Sequence, residues 1–287
     1  MITIHLFITI LFFNSLSVSA YETIASIATL LGYNDDSLVY SNRAAAQKES
    51  LISNMYNAEL GAFCDGIYEN KSASTHYSYH ATAMALACGI YLDQTMANKM
   101  ATFLSGGLKT SVYYSYFVLE GLYKSGNGDI ANSILLNSDL STTRSWAYMI
   151  NVLNATLTAE AWSESNKDNM TLSHPWGSAP AYAIKYGIFG INPTKAGYEE
   201  FEINIQNGSI LNAEILFPTM KGNIKIGFDF SDNHSLSLDV PANTTAIVYL
   251  PDYNGEEVLL DGKPAQVENI SSRPFIHVGS GTRTISY

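Results

Sequence analysis

The sequence predicts a two-domain α + β protein in which helical hairpins precede an antiparallel β-sandwich. Apolar residues recur at helical spacing up to about Gly190, and after Asn192-Pro193 they alternate with a period of two. Turn residues separate the alternating segments, as is typical of the short strands of a sandwich. We therefore expect a helical domain over residues 21–192 and a β-sandwich domain over residues 193–287.

Seven segments carry the helical pattern, and the short connections between them favour sequential antiparallel hairpins. The second segment is expected to begin at a capping residue, Ser41 or Asn42, and the sixth to continue as far as Glu160. In chain order they are ETIASIATLLGY, SNRAAAQKESLISNMYN, HYSYHATAMALACGIYL, TSVYYSYFVLEGLYKSG, GDIANSILLN, RSWAYMINVLN and SAPAYAIKYGIFG.

Seven further segments have the alternating pattern of half-buried strands. The turns between them contain pairs such as Asn207-Gly208 and Asp261-Gly262, which favour tight reversals of the chain. In chain order the segments are EEFEINIQ, LNAEILFPTM, GNIKIGFDF, HSLSLDV, TTAIVYLP, EEVLLDG and PFIHVGSGTRTISY.

The first twenty residues have the pattern of a secretory signal peptide. An apolar run from Ile2 to Phe13 is followed by the small residues Val18-Ser19-Ala20, which predicts cleavage after Ala20 and a secreted protein. The run is shorter than the roughly 20 residues that a membrane span needs, so we expect no stable span. No Lys or Arg precedes the run, and the alternative is a buried helix.

Two cysteines and seven asparagines also bear on whether the protein is secreted. Cys64 and Cys88 could pair in an oxidising environment or serve as small buried apolar groups. Seven sites fit the N-glycosylation pattern, which indicates an extracellular glycoprotein if the source is eukaryotic. The acceptor residues are Asn70, Asn154, Asn169, Asn207, Asn233, Asn243 and Asn269.

The bulk composition excludes several classes of function. Hydrophobic residues make up 47% of the 287 and charged residues 14%, which is typical of a globular protein with a sizeable core. The formal net charge of −11 disfavours nucleic acid as a partner. No phosphate-binding glycine loop or metal-ligand spacing is present in the sequence, so we expect no cofactor and no metal.

One short segment, AEAWSESNKDNMTLSHPWGSAPA, gathers an acid, an imidazole and two indoles. Glu160 lies beside Trp162, and His174 precedes Trp176 by two residues. Aromatic faces and polar side chains together bind sugars, and glycoside hydrolysis uses carboxyl groups whose pKa depends on their surroundings. The alternative is a surface glutamate that lies near an aromatic pair by chance.

This segment and its surroundings resemble the C-terminal part of the bacterial-type α-L-rhamnosidases of glycoside hydrolase family 78. The resemblance rests on RSWAYMINVLNATLTAEAW, on LSHPWGSAPAYAIKYGIFGINPTKAGYEEFEI and, less specifically, on the upstream helical segments. It covers about nine-tenths of the chain and departs from the family at Ala159, where a Trp is common. It implies a partial (α/α)6 six-hairpin toroid followed by a β-sandwich, and a ligand that is a rhamnose-containing glycan or glycoside.

The resemblance also implies roles for individual residues. Glu160 matches the general base that activates water in an inverting hydrolysis, and His174 and Trp146 match residues of the sugar pocket. Five other residues are candidates for substrate contact or for purely structural roles. For Trp162 and Trp176 the alternative is a position in the core. For Asp65 and His76 the alternative is a loop residue whose hydrogen bonds are satisfied, and His80 is expected to be a hydrogen-bonded core histidine.

The family's general acid lies in an earlier segment of the form Asp-Cys-Pro…Arg-x-Glu, which this sequence does not contain. About eight helices are expected before the sandwich, against twelve in a complete toroid, so we expect a shortened relative with exposed helix faces that favour self-association. Four acidic residues remain as candidates to replace the general acid: Asp65, Asp35, Asp36 and Glu120. Asp65 is the best placed of them, because it lies in a loop between helices.

Two other functions remain open on sequence alone. The missing acid segment favours a non-catalytic carbohydrate-binding or interaction protein on the same scaffold. A six-hairpin glycosidase that acts on a different sugar is also possible in principle, because pocket residues from other hairpins set the specificity.

Overall fold

A computed structural model describes residues 7–271 and 273–287 of the chain. The fold is a helical region followed by a sheet domain, as predicted. The backbone divides into two compact units, Met1–Ala179 and Pro180–Tyr287. The predicted boundary between residues 192 and 193 stays a prediction.

The first unit consists of helices and two small antiparallel strand pairs, β1 with β4 and β2 with β3. Helix α1 packs on α2 and α3, α3 packs on α4 and α5, and α5 packs on α6. The helices are α1 (Leu11–Leu30), α2 (Asn34–Met55), α3 (Tyr79–Ala87), α4 (Gln94–Leu104), α5 (Ser115–Lys124), α6 (Gly128–Leu135) and α7 (Trp146–Asn151), and the strands are β1 (Phe7–Ile10), β2 (Tyr56–Asn57), β3 (Ala62–Phe63) and β4 (Gly66–Tyr68). Alternate helices α1, α3 and α5 therefore form one layer.

The N-terminal ends of α1, α3 and α5 meet at one end of this unit. The amide of Leu11 donates to the carbonyl of Asp65 (2.9 Å), just before β4. The hydroxyl of Tyr114 donates to the carbonyl of His80 (2.8 Å), in the first turn of α3, and the rings of Phe12 and Tyr114 lie 6.1 Å apart. The loops at this end carry most of the candidate site residues.

Capping and close packing explain where these helices form. Ser78 and Ser145 cap α3 and α7 by accepting hydrogen bonds from Ala81 and Tyr148. Helices α3 and α5 approach closely at Gly121, where a Cβ atom would lie 2.8 Å from the backbone nitrogen of Ala87. The small residue is therefore required for the approach.

Two helix boundaries differ from the sequence predictions, and one helix was not predicted. Helix α2 begins at Asn34, so the expected caps Ser41 and Asn42 lie inside it. Helix α7 ends at Asn151 and is followed by Asn154 with φ of +51°, which leaves Glu160 in a loop and not on a helix. Helix α4 was not predicted, although Asp93 caps it by accepting from the amide of Met96.

Helix α1 begins ten residues before the predicted signal cleavage site. Leu11, Ser15 and Val18 have no exposed area. The first part of α1 therefore packs as a buried helix along the side of Leu11, Ser15 and Val18, as the alternative interpretation expected. Cleavage after Ala20 stays a prediction. No helix within residues 7–271 and 273–287 is both long and apolar enough to cross a membrane.

The second unit begins within a short helical segment and is built on one sheet. Helix α8 (Ala179–Tyr182) continues into a π-helical segment (Ala183–Ile188). Nine strands of the described chain then form a hydrogen-bonded sheet. They are β5 (Asn192–Pro193), β6 (Glu200–Ile203), β7 (Asn212–Thr219), β8 (Gly222–Asp229), β9 (Ser235–Tyr249), β10 (Leu259–Leu260), β11 (Lys263–Pro264), β12 (Glu268–Ile270) and β13 (Arg273–Ser286).

The long strands β9 and β13 connect the two halves of this sheet. Two predicted strands, HSLSLDV and TTAIVYLP, are one strand, β9, whose first half pairs with β8 and whose second half pairs with β6. The bend falls near Asn243, where φ is +58° and the register with β13 shifts. The β6–β9 pair is parallel, so the predicted purely antiparallel pairing is wrong at this position.

Candidate active site

A long loop between α7 and α8 holds the residues of the crowded segment. Its two arms run side by side, because the amide of Glu160 donates to the carbonyl of Thr171 (2.9 Å). The amide of His174 donates to the carbonyl of Thr158 (2.7 Å). The pairing places Glu160, Thr171 and His174 next to one another.

The carboxylate of Glu160 accepts hydrogen bonds at both of its oxygens. Lys167 Nζ forms an ion pair with Oε1, and the amide of Thr171 donates to Oε2 (3.1 Å). The hydrogen bond from Lys167, then that from Thr171, lowers the pKa of Glu160, and the charge of His174 adds a smaller effect. The carboxylate is therefore ionised near neutral pH, as a general base must be.

His174 and Trp176 flank this carboxylate. His174 Nδ1 lies 3.1 Å from the hydroxyl of Thr171, and its Nε2 has no hydrogen-bond partner within the described chain. The indole N–H of Trp176 donates to the carbonyl of Glu160 (3.1 Å), and the two rings lie 4.3 Å apart. Trp176 is 45% exposed, so its core alternative is wrong.

Trp146 and Trp162 lie beneath the loop and support it. They are 7% and 2% exposed, and their rings meet edge to face at 5.3 Å. The N–H of Trp146 donates to the carbonyl of Gly177 (3.2 Å), and that of Trp162 to the carbonyl of Thr110 (2.8 Å). Their burial places both indoles in supporting positions, in contrast to the sugar contact expected of Trp146.

A second polar cluster lies at the same end of the helical layer. His76 Nδ1 and Asp65 Oδ2 form a close hydrogen bond, and the side chain of His76 is 73% exposed. His80 is exposed, so its expected core position is wrong, and its ring packs 4.7 Å from that of Tyr114. Partial burial lowers the pKa of the His80 imidazole. The negative charge of Asp65 opposes this shift, and the positive charge of Arg144 adds to it.

The two clusters are brought together by ring contacts and not by direct hydrogen bonds. The contacts run from Trp176 to Tyr113 (5.7 Å), from Tyr113 to Phe117 (6.1 Å) and from Phe117 to Tyr114 (5.3 Å), which packs on His80. This connection was not predicted from the sequence, and neither were the contacts of Lys167 and Thr171 with Glu160 and His174. Only the position of Lys167 and Thr171 between Glu160 and His174 could have indicated them.

The other candidate acids form contacts away from Glu160. Glu120 pairs with Lys124 (2.8 Å) and accepts from the hydroxyl of Tyr116 (3.1 Å). Asp35 and Asp36 are exposed in the first turn of α2. Among described residues, no hydrogen bond or ion pair joins any of the four acids to Glu160.

The cysteines and the glycosylation candidates lie outside the loop between α7 and α8, except Asn154 and Asn169, which lie within it. Both thiols are free: Cys64 donates to the carbonyl of Gly66 and Cys88 to the sulfur of Met84, so the pairing allowed by secretion is not formed. Asn207 is half-buried and its amide donates to two carbonyls. The other acceptors, Asn70, Asn154, Asn169, Asn233, Asn243 and Asn269, are exposed. No group of three or more potential metal ligands lies within the described ranges.

Comparison with known proteins adds independent information. The model of the bacterial alpha-L-rhamnosidase 6 hairpin glycosidase domain matches residues 11–185, and that of the bacterial alpha-L-rhamnosidase C-terminal domain matches residues 190–263. Two α-L-rhamnosidases of Formosa agariphila are 25% and 26% identical to this chain over 86% and 83% of its length. The chain spans about a quarter of these relatives, 26% of each.

Solved structures show the same fold. An α-L-rhamnosidase from Dictyoglumus thermophilum covers 93% of this chain with a TM-score of 0.74 and 20% identity, over 30% of its own length. The Streptomyces avermitilis α-L-rhamnosidase complexed with L-rhamnose covers 96% with a TM-score of 0.73 and 20% identity, over 26% of its length. Because the six-hairpin model matches more than half of the chain, this protein belongs to the bacterial α-L-rhamnosidase six-hairpin glycosidase family.

Proposed function

We propose that this chain acts on glycosides that end in α-L-rhamnose, as an α-L-rhamnosidase-like glycoside hydrolase. The observation that carries the proposal is the ionised carboxylate of Glu160 beside the unpartnered Nε2 of His174 and the half-exposed ring of Trp176. The carboxylate is one of the two catalytic groups that glycoside hydrolysis uses, and an aromatic face and a polar imidazole are groups that line sugar-binding pockets. The names of the relatives support rhamnose as that sugar.

The proposed reaction is an inverting hydrolysis in which Glu160 is the general base. Glu160 takes a proton from water while the water oxygen bonds to the anomeric carbon, and the bond to the leaving oxygen breaks on the opposite face. In this proposal His174 Nε2 binds a sugar hydroxyl or this water. The departing oxygen of a poorly leaving alcohol must receive a proton, which the family takes from its acid segment, whereas a stable anion departs without one.

We further propose that this chain acts without the general acid of the family. The acid segment is missing from the sequence, and Asp65 is engaged with His76 in the second cluster. A base without an acid still cleaves glycosides whose leaving group departs as a stable anion. Hydrolysis of glycosides with a poorly leaving alcohol should then be slow.

Two substrates with different leaving groups test the proposal. We expect turnover of 4-nitrophenyl α-L-rhamnoside, and turnover of methyl α-L-rhamnoside that is lower by an additional factor of about 10²–10⁴ beyond the intrinsic difference in leaving ability. Equal acceleration of both substrates relative to water would show that an acid is present. No acceleration of either would reject hydrolysis.

A specific observation favours one alternative, a non-catalytic carbohydrate-binding protein. Lys167 and the amide of Thr171 occupy both oxygens of Glu160, which weakens the carboxylate as a proton acceptor. Titration calorimetry with L-rhamnose distinguishes the two functions. Binding without turnover of the aryl rhamnoside supports the alternative, and the absence of binding rejects it.

We also propose that the protein is secreted and glycosylated. The N-terminal apolar run and the six exposed sequon asparagines support this proposal. N-terminal sequencing of protein from the culture medium should begin at Tyr21, and N-glycosidase treatment should lower its mass. Intracellular retention with an unprocessed N-terminus would contradict it.

Finally, we propose self-association through the outer side of α1. Three exposed apolar residues that remain after cleavage at Ala20 recur there at spacings of three and four residues: Ile24, Ile27 and Leu31. Such a stripe on a surface helix favours helix pairing. Sedimentation analysis should show an oligomer that Ile27→Ser weakens, and a monomer at all concentrations would contradict the proposal.

A further inference from the structure

The π-helical segment Ala183–Ile188 buries a lysine that the proposed reaction does not use. Lys185 is 6% exposed, although lysines are almost never fully buried without a partner of opposite charge. No carboxylate within residues 7–271 and 273–287 forms an ion pair with this lysine. Neutral groups must therefore replace the water that its ammonium group has lost.

Three aromatic side chains contact this ammonium group. Lys185 Nζ lies 3.3 Å from the centre of the Tyr186 ring and 4.3 Å from that of the Phe217 ring. It lies 5.4 Å from the centre of the Tyr198 ring and donates a hydrogen bond to the Tyr198 hydroxyl (2.7 Å). Aromatic rings attract a cation within about 6 Å, most strongly where water is excluded. We call Tyr186, Tyr198 and Phe217 the aromatic box.

The members of the aromatic box belong to three separate elements of the second unit. Tyr186 follows Lys185 in the π-helical segment, and Phe217 lies on β7. Tyr198 ends the short turn Ala196–Tyr198, which precedes β6. The ammonium group of one side chain therefore joins the π-helical segment, the turn before β6 and a strand of the sheet.

The turn before β6 has a backbone conformation that needs such support. Gly197 and Tyr198 both have positive φ, +69° and +61°. A bulky residue such as tyrosine is strained in this left-handed region. The Tyr198 ring packs 6.0 Å from Phe217 and 6.2 Å from Phe201, and the bond from Lys185 fixes its hydroxyl. The lysine thus helps to hold a side chain whose backbone is strained.

We propose that the aromatic box is a binding site for a primary alkylammonium group, and that Lys185 is its built-in ligand. Bound in this way, the lysine side chain is a strap that keeps the turn before β6 in its left-handed conformation. The box has no charge and presents ring faces and a hydroxyl oxygen, which suits a cation and disfavours an anion. The site is independent of the proposed hydrolysis, because it uses no residue of the Glu160 loop.

The box becomes accessible to a small amine from solution when the lysine is shortened. Tyr186 is 37% exposed, and Phe217 and Tyr198 are half-buried. Tyr198 also lines an open groove of about 570 Å³ beside Pro218. Lys185→Ala removes the part of the side chain that corresponds to n-propylammonium, so this ion is the probe that matches the vacated space.

Chemical rescue tests whether the box binds an ammonium group. Lys185→Ala should lower the Tm of the full chain by roughly 4–8 °C, the effect of one desolvated cation–π contact. Addition of n-propylammonium chloride should restore part of this loss and leave the Tm of the wild type unchanged, because the wild-type box is occupied. Equal concentrations of sodium chloride and of n-propanol should restore none of it. Equal effects of the amine and the alcohol, or no effect of the amine, would overturn the proposal.

A double-mutant cycle tests the strap without an added ligand. Lys185→Met keeps the bulk of the side chain without its charge, and Tyr186→Leu removes the ring nearest to the ammonium group. Tyr186→Leu should lower the Tm of the wild type and have a much smaller effect in Lys185→Met, because no cation is left to bind. The matched control is Lys225→Met, which removes a more exposed lysine of the same unit and should change the Tm by less than about 2 °C. Additive effects, or equal Tm values for Lys185→Met and Lys225→Met, would contradict the strap.

Two variants that retain the lysine decide the question if Lys185→Ala and Lys185→Met do not fold. Tyr198→Phe removes only the hydroxyl that accepts from Lys185, and Tyr186→Leu removes only the nearest ring. We expect both variants to have a lower Tm than the wild type. Unchanged Tm values for both would overturn the proposal.

Discussion

The indole N–H of Trp176 donates a 3.1 Å hydrogen bond to the backbone carbonyl of Glu160. The bond joins the two arms of the loop after α7, and it fixes an exposed ring beside the carboxylate that the proposed reaction uses. The position of Glu160 therefore depends on a contact made sixteen residues later in the chain.

Replacing Trp176 separates the hydrogen bond from the ring. Trp176→Phe keeps an aromatic face and removes the donor, so we expect kcat for an aryl rhamnoside to fall by roughly 2- to 10-fold, the effect of one neutral hydrogen bond. Trp176→Ala should in addition raise KM because it removes the face. An unchanged kcat in Trp176→Phe would mean that the bond does not position the carboxylate.

Lys167 sets the pH range in which Glu160 is a base. The ion pair lowers the pKa of Glu160, and a general base loses activity as the pH falls through its pKa. Lys167→Met should raise that pKa, so the acidic limb of the kcat/KM profile should move to higher pH. Lys124→Met, which removes a different ion pair, should leave the limb in place. If the acidic limb of the kcat/KM profile does not move in Lys167→Met, the assignment of that limb to Glu160 is wrong.

Gly177 is tightly enclosed under the loop. A Cβ atom there would lie 2.9 Å from the carbonyl oxygen of Ala159, from Thr158 Cβ and from Val112 Cγ1. Gly177→Ala should destabilise the protein by about 1–3 kcal/mol through overpacking, measured as a lower Tm. Gly106→Ala is the control, because its nearest neighbour would be 3.8 Å away. Equal Tm values for the two variants would contradict this packing.

The buried side of α1 gives a prediction about the N-terminal segment. Leu11 has no exposed area, so Leu11→Ala should lower the free energy of unfolding of the full-length chain by about 2–5 kcal/mol. Leu30→Ala, at an 85% exposed position of the same helix, should change it by less than about 0.5 kcal/mol. If processing removes residues 1–20, the Leu11 contact is lost from the mature protein. An unchanged free energy of unfolding for Leu11→Ala in the full-length chain would contradict the burial of Leu11.

Much of the fold could be predicted because periodicity reports directly on burial. The segments around α3, α5 and α6 and the strands β7, β8 and β13 follow from apolar spacing alone. Boundaries were less predictable where tertiary contacts decide them. Helix α2 extends back to Asn34 through polar residues, and β9 continues through Pro241 because β6 and β13 both pair with it.

The candidate site was predictable in its residue types and less so in its geometry. The gathering of Glu160, His174 and Trp176 in one segment indicated a site, and the structure places these three together. The burial of Trp146 and Trp162 could not be read from the sequence, because an indole serves equally as a ligand contact or as core. The contacts of Tyr113 join residues distant in sequence, and no local pattern encodes them.

Hydrolysis of 4-nitrophenyl α-L-rhamnoside by Glu160→Gln tests the central claim most directly. Glutamine keeps the shape of the side chain and cannot accept the proton of the attacking water. We expect a kcat lower by about 10²–10⁴-fold than that of the wild type, with unchanged KM, while Glu164→Gln in the same loop retains full activity. Undiminished turnover by Glu160→Gln would contradict the assignment of Glu160 as the general base.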